Sequence, residues 1–184
     1  MPPGKRDDPR TDTQIISDIN AGDDASFEAL YYRYRDWVVR LARRRTSNDE
    51  DALEVLQETF AYLARKFPGF QLTAAMTSFL YPVVTNLSIA ARRESRRFQV
   101  GGQELETSQE RRSPDPAGVT DLAAALSGLP GIHREVVLLR FVDDLSLQEI
   151  SDALSLPLGT VKSRLHYAIG CLRHDPRARK FFEP

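Results

Sequence analysis

The segment from Leu145 to Arg173 contains two short helical patterns joined by a tight turn, and it constrains the fold more than any other stretch. Ser146 and Glu149 have the spacing of a capping box, in which two side chains satisfy free N–H groups at a helix start. Pro157 and Gly159 interrupt that first helix. Apolar residues at helical spacing predict a second helix with one buried face: Val161, Leu165, Ile169 and Leu172.

The opposite face of the second helix carries polar and cationic side chains of the length that reaches base edges in a major groove. They are Thr160, Lys162, Ser163, Arg164 and His166. The pattern is typical of a DNA-binding helix-turn-helix. It also fits an ordinary helical hairpin with a solvated face, since Lys and Arg are normally exposed, so the rest of the chain has to separate the two.

Charge and cysteine content narrow the class of protein. The 184 residues include 25 Lys and Arg against 26 Asp and Glu, a formal net charge of −1. Because phosphate contacts supply most non-specific affinity, a protein that finds DNA unaided usually has a basic excess, and we expect delivery by a larger partner. The single cysteine, Cys171, excludes an intramolecular disulfide. Without a signal-peptide pattern or a run of ~20 apolar residues, the protein is predicted to be cytoplasmic, with no membrane insertion.

Helical patterns lie on both sides of a stretch rich in Gly, Pro, Ser, Glu and Gln, which has linker composition. Since no strand alternation of useful length occurs, we predict an all-α fold of two small helical domains joined by a flexible linker, the second containing the helix-turn-helix. The predicted segments are a flexible tail (1–11), a first domain (12–98), the linker (99–120), a second domain (121–176) and a C-terminal tail (177–184).

Two helices of the first domain are central to its function. The helix that starts with the acidic turn Asp49–Asp51 is expected to bury a stripe of large apolar side chains: Leu53, Leu56, Phe60, Leu63 and Phe67. The next helix, over roughly 74–97, ends in an arginine-rich run. Pro82 lies inside its pattern and predicts a kink or a late start, because proline lacks the N–H that a helix interior needs.

Several segments, in order along the chain, resemble one known family. They are Gly22–Tyr31, Asp51–Phe60, Ser78–Tyr81 with Asn86 and Leu87, Leu129–Pro130 with Arg134–Val136, and the heptad Gly159–Leu165. On these residues the chain is similar to the extracytoplasmic-function sigma factors of bacterial RNA polymerase. The resemblance covers nearly the whole chain except the tail and most of the linker. It implies a factor without catalytic residues, cofactor or metal, which binds core RNA polymerase and directs promoter-specific transcription initiation.

The resemblance implies a polymerase-binding surface on the helix that starts at Asp49. In the family this stretch grips the β′ clamp helices, and the matching residues form an exposed, mostly acidic strip: Asp51, Glu54, Gln57 and Glu58. Taken alone, acids near a helix start merely suit the helix dipole, whereas the resemblance favours docking of a basic partner helix. It further implies contact with the β flap and control by an anti-sigma factor that lies between the two domains.

The resemblance also implies two promoter contacts. Binding of the minus-ten element is expected from the loop before the fourth helix and from that helix: Gln71, Thr73, Asn86, Arg92, Arg93, Arg96 and Arg97. Phe79 is interpreted as a core residue. Binding of the minus-thirty-five element is expected from the five outward residues of the helix-turn-helix, Thr160, Lys162, Ser163, Arg164 and His166, in which phosphate and base contacts are not separable from sequence.

The chain departs from the family pattern at four positions. Pro82 and Thr85 stand where relatives are often basic, which thins the DNA-facing charge of the fourth helix, and Ala90 replaces a frequent acid. Ser155 stands where a helix-turn-helix often has glycine, and a serine is disfavoured at the positive φ expected there. These departures leave the fold intact but bear on promoter sequence and strength.

Three alternative classes have less support in the sequence. A stand-alone helix-turn-helix transcriptional regulator, the principal alternative, needs a dimer interface or a receiver domain, and neither pattern is visible. A metal or redox sensor built on His166, Cys171 and His174 matches no standard zinc spacing. An enzyme needs a phosphate loop, a nucleophile motif or paired acids, and we find none of these.

Overall fold

The computed structural model describes residues 8–99 and 121–178, which fold into eight α-helices without a β-strand among them. The first four helices form one compact unit: α1 (Asp12–Asn20), α2 (Asp24–Arg43), α3 (Asp49–Ala64) and α4 (Met76–Gln99). The last four form another: α5 (Asp121–Gly128), α6 (Gly131–Phe141), α7 (Leu147–Leu154) and α8 (Leu158–His174). The predicted all-α fold is confirmed. All of the predicted linker except Gln99 lies outside the described residues.

The core of the first unit is built from the apolar faces of all four helices. Side-chain caps define the helix starts: the Asp23 carboxylate accepts from the Ala25 N–H, and the Asn48 amide oxygen accepts from the Asp51 N–H. Burying each large aliphatic side chain contributes about 1.5–3 kcal/mol. The fully buried ones are Ile15, Leu30, Val38, Leu41, Val55, Leu63, Met76, Leu80 and Val84.

The buried face of α3 differs from the predicted stripe at its first and last members. Phe67, the last, lies beyond the end of the helix at Ala64 and is half-buried. Leu56, Phe60 and Leu63 are buried as expected, but Leu53 is 50% exposed, so its predicted burial is wrong. Val55 takes its place in the core. With about 100° between successive residues, Leu53 lies at one border of the buried arc, where the position of the neighbouring helices decides burial.

Pro82 does not delay the start of α4. The helix begins at Met76 and continues through the proline to Gln99. Pro82 has no N–H to donate toward the carbonyl of Ser78, yet its ring is exposed. Leu80, Tyr81 and Val84, which flank it, are buried against the other helices of the unit and stabilise the helix by packing.

The segment just before α1 is held by arginine side chains. Nη1 of Arg10 donates to Asp18 at 2.6 Å and to the Ser26 hydroxyl at 2.7 Å. Arg33 donates to Asp12 at 2.6 Å and to the backbone oxygens of Asp8 and Arg10, both at 2.8 Å. Residues 8–11, which the sequence places in a flexible tail, are therefore fastened to α1 and α2. Residues 1–7 lie outside the described part of the chain.

The second unit packs α5, α6 and α8 around a small apolar cluster that includes Ala125, Leu129, Val137, Ala168 and Leu172. Ala178, the last described residue, is buried in the same cluster. The predicted C-terminal tail is thus described only at Arg177 and Ala178, and the remainder lies outside the described residues. In neither described range is there a helix long and apolar enough to cross a membrane.

Candidate nucleic-acid and protein interfaces

The turn between α7 and α8 has the geometry of a helix-turn-helix. Both bonds of the predicted capping box are present: the Ser146 hydroxyl accepts from the Glu149 N–H at 3.2 Å, and the Glu149 carboxylate accepts from the Ser146 N–H at 2.8 Å. α7 ends at Leu154 and is followed by Ser155, whose backbone is left-handed with φ 52° and ψ 45°. The positive φ expected there is confirmed. α8 begins three residues later, at Leu158.

The predicted outward residues of α8 lie on one broad face of the helix. Lys162, Ser163 and His166 are exposed, while Thr160 and Arg164 are half-buried at its border. The opposite face is packed. Of its predicted residues, Val161 and Leu172 are buried and Leu165 and Ile169 are half-buried, while Ala168, which was not predicted, is fully buried. The structure therefore brings the five residues together on a surface that a rigid apolar core supports.

Tyr167 lies in the middle of the same face and was missed in the sequence. It is 53% exposed, and its ring centroid lies 4.4 Å from that of His133 on α6. His133 Nδ1 donates to the backbone oxygen of Arg164 at 3.2 Å, which ties α6 to α8. A hydrogen bond with the Cys171 thiol raises the pKa of Tyr167 above its ordinary value. The sequence did contain a signal for this position: Tyr167 follows Ser163 by four residues, a spacing that places both side chains on the same face of a helix.

The arginine-rich end of α4 presents a second basic surface. Asn86, Arg93, Arg96 and Arg97 are exposed, and Arg92 is half-buried. A shallow surface depression is lined by Ala90, Arg93, Glu94 and Arg97. Because these cations occupy successive turns of one helix, they form a stripe suited to phosphate groups.

The predicted loop residues Gln71 and Thr73 are exposed in the connection between α3 and α4. Asn20, at the end of α1, holds the backbone of this loop: its Nδ2 donates to the Phe70 oxygen at 2.9 Å, and its Oδ1 accepts from the Gly69 N–H at 2.6 Å. Asn20 was also missed in the sequence, since the bond spans about 50 residues. Below the loop, the Phe70 and Phe79 rings lie 4.9 Å apart, so Phe79 packs as a half-buried core residue.

Three of the four predicted strip residues of α3 are exposed: Glu54, Gln57 and Glu58. The expectation that Asp51 is exposed is wrong, because it is 9% exposed and its carboxylate accepts from the Ser95 hydroxyl of α4. Leu53 takes part in the surface instead. The outward face of α3 is thus a strip of one apolar, one amide and two acidic side chains, called the α3 strip below.

The three residues considered for a metal or redox sensor, His166, Cys171 and His174, do not form a metal-binding cluster. His174 Nδ1 donates to the Gly170 oxygen at 2.7 Å, and the half-buried Cys171 packs against the core of the second unit. Within residues 8–99 and 121–178, no group of three or more His, Cys, Asp or Glu side chains is arranged to hold a metal ion.

Comparison with known proteins gives a consistent family match. The family model for Sigma-70 region 2 matches residues 30–98, and the model for Sigma-70 region 4 matches residues 125–174. The first range includes the α3 strip and the arginine-rich end of α4. The second includes the complete helix-turn-helix.

Two curated relatives are named as ECF RNA polymerase sigma factors. The chain is 32% identical over 165 residues to the ECF RNA polymerase sigma factor SigL of Mycobacterium tuberculosis, covering 86% of this chain and 93% of the relative. It is 28% identical over 177 residues to the ECF RNA polymerase sigma factor SigW of Bacillus subtilis, covering 88% and 95%.

Two solved structures have a similar fold. CnrH, in complex with the cytosolic domain of CnrY, matches with a TM-score of 0.63 and 19% identity, covering 87% of this chain and 93% of CnrH. The sigma factor RpoE of Bartonella quintana, in complex with the anti-sigma factor NepR, matches with a TM-score of 0.56 and 20% identity, covering 80% and 94%. At these identities the likeness extends to the fold.

Proposed function

This chain belongs to the family of extracytoplasmic-function (ECF) RNA polymerase sigma factors, and we propose that its α3 strip, the end of α4 and α8 are its three working surfaces. As a sigma factor it acts in transcription initiation. The observation that carries the proposal is the position of each surface inside a family match: two inside region 2 and one inside region 4.

The α3 strip binds core RNA polymerase through the β′ clamp helices. Glu54 and Glu58 supply negative charge that steers and orients a basic partner helix. Leu53, half-exposed between the acids and the core, supplies apolar area that becomes buried on docking. Asp51 takes no direct part, because it is only 9% exposed and its carboxylate faces Ser95 of α4.

The end of α4 and the loop before it bind the minus-ten element. Arg93, Arg96 and Arg97 contact phosphates along the helix, while Gln71 and Thr73 face unpaired bases from the loop that Asn20 holds. Ala90, Pro82 and Thr85 carry no positive charge, so phosphate binding is concentrated in the last turns of α4.

In the second unit, α8 enters the major groove of the minus-thirty-five element with Lys162, Ser163 and His166 outward. Thr160 and Arg164 border the same face. The β flap of the polymerase contacts this unit. With a formal net charge of −1, the chain reaches the promoter as a subunit of holoenzyme rather than alone.

An anti-sigma factor holds the protein inactive until a signal releases it. Support comes from RpoE, which has the same fold and was solved with its anti-sigma factor NepR. The protein works in the cytoplasm, where polymerase and promoter DNA are found.

The test is retention of core RNA polymerase by the immobilised full-length chain. The variant Glu54→Arg plus Glu58→Arg reverses the charge of the α3 strip and is expected to lose binding of the polymerase. Glu28→Arg plus Asp36→Arg makes the same charge change on α2 and is expected to retain it. Equal retention by both variants contradicts the assignment of the strip. If the wild-type chain retains no core enzyme yet shifts duplex DNA alone, a stand-alone regulator replaces the sigma factor.

A further inference from the structure

The apolar packing of α4 ends well before the helix does. Ser88 is its last fully buried residue, and every described side chain from Ile89 to Arg97 is exposed or half-buried. At 1.5 Å per residue, the arginines extend over about 14 Å beyond that point. Among its described side chains, the arginine-bearing end of α4 therefore has no fully buried apolar residue of the kind that fixes the rest of the helix.

A polar contact holds this unsupported end. The Ser95 hydroxyl lies 2.9 Å from each carboxylate oxygen of Asp51, in the first turn of α3. Ser95 is seven residues beyond Ser88, on the same face of α4. The bond thus joins the α4 terminus to α3 at the level of its arginines.

Asp51 is a rigid acceptor for this bond. It is 9% exposed, and its own N–H donates to the Asn48 amide oxygen at 2.7 Å, which fixes the first turn of α3. A hydrogen bond to a charged acceptor is stronger than one between neutral groups, and low exposure protects it from competition by water. Glu54, of the α3 strip, lies one turn further along the same helix.

We infer that Asp51 and Ser95 are a positioning pair, which sets the direction of the arginine-bearing end of α4 relative to α3. The inference rests on the proposed function, because it assumes that these arginines contact promoter phosphates. The pair touches neither DNA nor polymerase. It keeps Arg93, Arg96 and Arg97 in the geometry that holoenzyme needs for phosphate contact.

The test compares serine variants on one helix. Ser95→Ala removes the bond to α3, whereas Ser88→Ala removes a hydroxyl that donates to Val84 of the same helix at 2.7 Å. Each variant is assembled with core polymerase. The probe is a duplex that wild-type holoenzyme selects from a random-sequence pool, and its affinity is measured from about 50 to 200 mM salt.

Ser95→Ala is expected to retain core polymerase but to bind the probe about tenfold more weakly, the size of one lost charge-assisted bond. Its salt slope is expected to fall by about one, since each phosphate contact contributes ~0.9. Ser95→Thr keeps the hydroxyl and is expected to keep most of the wild-type affinity, whereas Asp51→Asn keeps an acceptor oxygen without its charge and is expected to lie between the wild type and Ser95→Ala. Ser88→Ala is expected to leave affinity and slope unchanged.

Two results overturn the inference: Ser95→Ala matches Ser88→Ala in affinity and slope, or it loses core polymerase and thermal stability together with DNA binding. The second result would show that the bond between Ser95 and Asp51 stabilises the fold and has no separate role in positioning the arginines. If wild-type holoenzyme selects no duplex at all, the proposed function itself fails, and that failure is distinguishable because it does not depend on any variant.

Discussion

The two helices that carry the exposed cationic surfaces, α4 and α8, are supported in different ways. α8 is packed along most of its length, with Val161, Ala168 and Leu172 buried beneath its outward face. The arginine-rich end of α4 extends beyond Ser88, the last buried of the described side chains of the helix, and is tied to α3 by the bond between Ser95 and Asp51. Apolar support is spread over many contacts, whereas a polar tie depends on two side chains. Loss of apolar packing should therefore unfold the surface of α8, whereas loss of the polar bond should only change the direction of the α4 end.

The largest effect is expected from truncating the support of α8. Leu172→Ala removes a buried side chain from the core of the second unit and is expected to lower its free energy of unfolding by about 2–5 kcal/mol. Amide hydrogen exchange should accelerate in α8 and stay unchanged in α2, which belongs to the other unit. The exposed control His166→Ala is expected to change stability by less than about 0.5 kcal/mol. If the amides of α8 exchange as slowly in the Leu172→Ala variant as in the wild type, buried apolar side chains do not support this helix.

A smaller effect is expected at the turn that orients α8. Ser155 adopts φ 52°, which costs a side chain roughly 1–2 kcal/mol and glycine almost nothing. Ser155→Gly is therefore expected to raise stability by about 1 kcal/mol, even after allowing for the extra backbone entropy of glycine. The same change within α8, Ser163→Gly, is expected to lower it by about 0.5 kcal/mol. Thermal unfolding of both variants checks that the two stability changes have opposite signs. Destabilisation by Ser155→Gly would contradict the backbone strain at Ser155.

The smallest effect concerns ion pairs that occur in both units. Hydrogen bonds from Arg10 hold the pKa of Asp8 at about 2, and those from Arg177 hold the pKa of Asp175 at about 2, both below the usual 3.8. Because the folded pKa is the lower one, each carboxylate stabilises the fold above about pH 4, and this contribution is lost as the pH falls toward 2. Salt and solvent weaken such pairs near the surface.

Arg10→Ala and Arg177→Ala remove the two arginines, and each is expected to make the unfolding midpoint less dependent on pH between about 4 and 2. Unfolding followed by circular dichroism at several pH values measures the slope. An unchanged slope in both variants would show that other carboxylates account for the acid sensitivity.

Local signals in the sequence were sufficient for the turn and the buried face of the helix-turn-helix. The Ser146 and Glu149 capping box, the left-handed Ser155 and the buried face of α8 all involve residues within a few positions of one another, so spacing alone specifies them. The same was not true of Asn20, whose bonds to the loop before α4 join residues about 50 positions apart. No local pattern marks such a partner.

Sequence by itself determined the all-α fold, the capping box of Ser146 and Glu149, and most of the buried faces of α3 and α8, because these follow from periodicity and short-range hydrogen bonding. Only the tertiary structure decided what happens at the borders of those faces. On α3, Asp51 and Leu53 lie on opposite borders of the buried arc, about 200° apart at 3.6 residues per turn. Whether a border residue is covered depends on where the neighbouring helix lies: the end of α4 covers the acid Asp51 and leaves the apolar Leu53 half in solvent, the reverse of what side-chain polarity alone predicts.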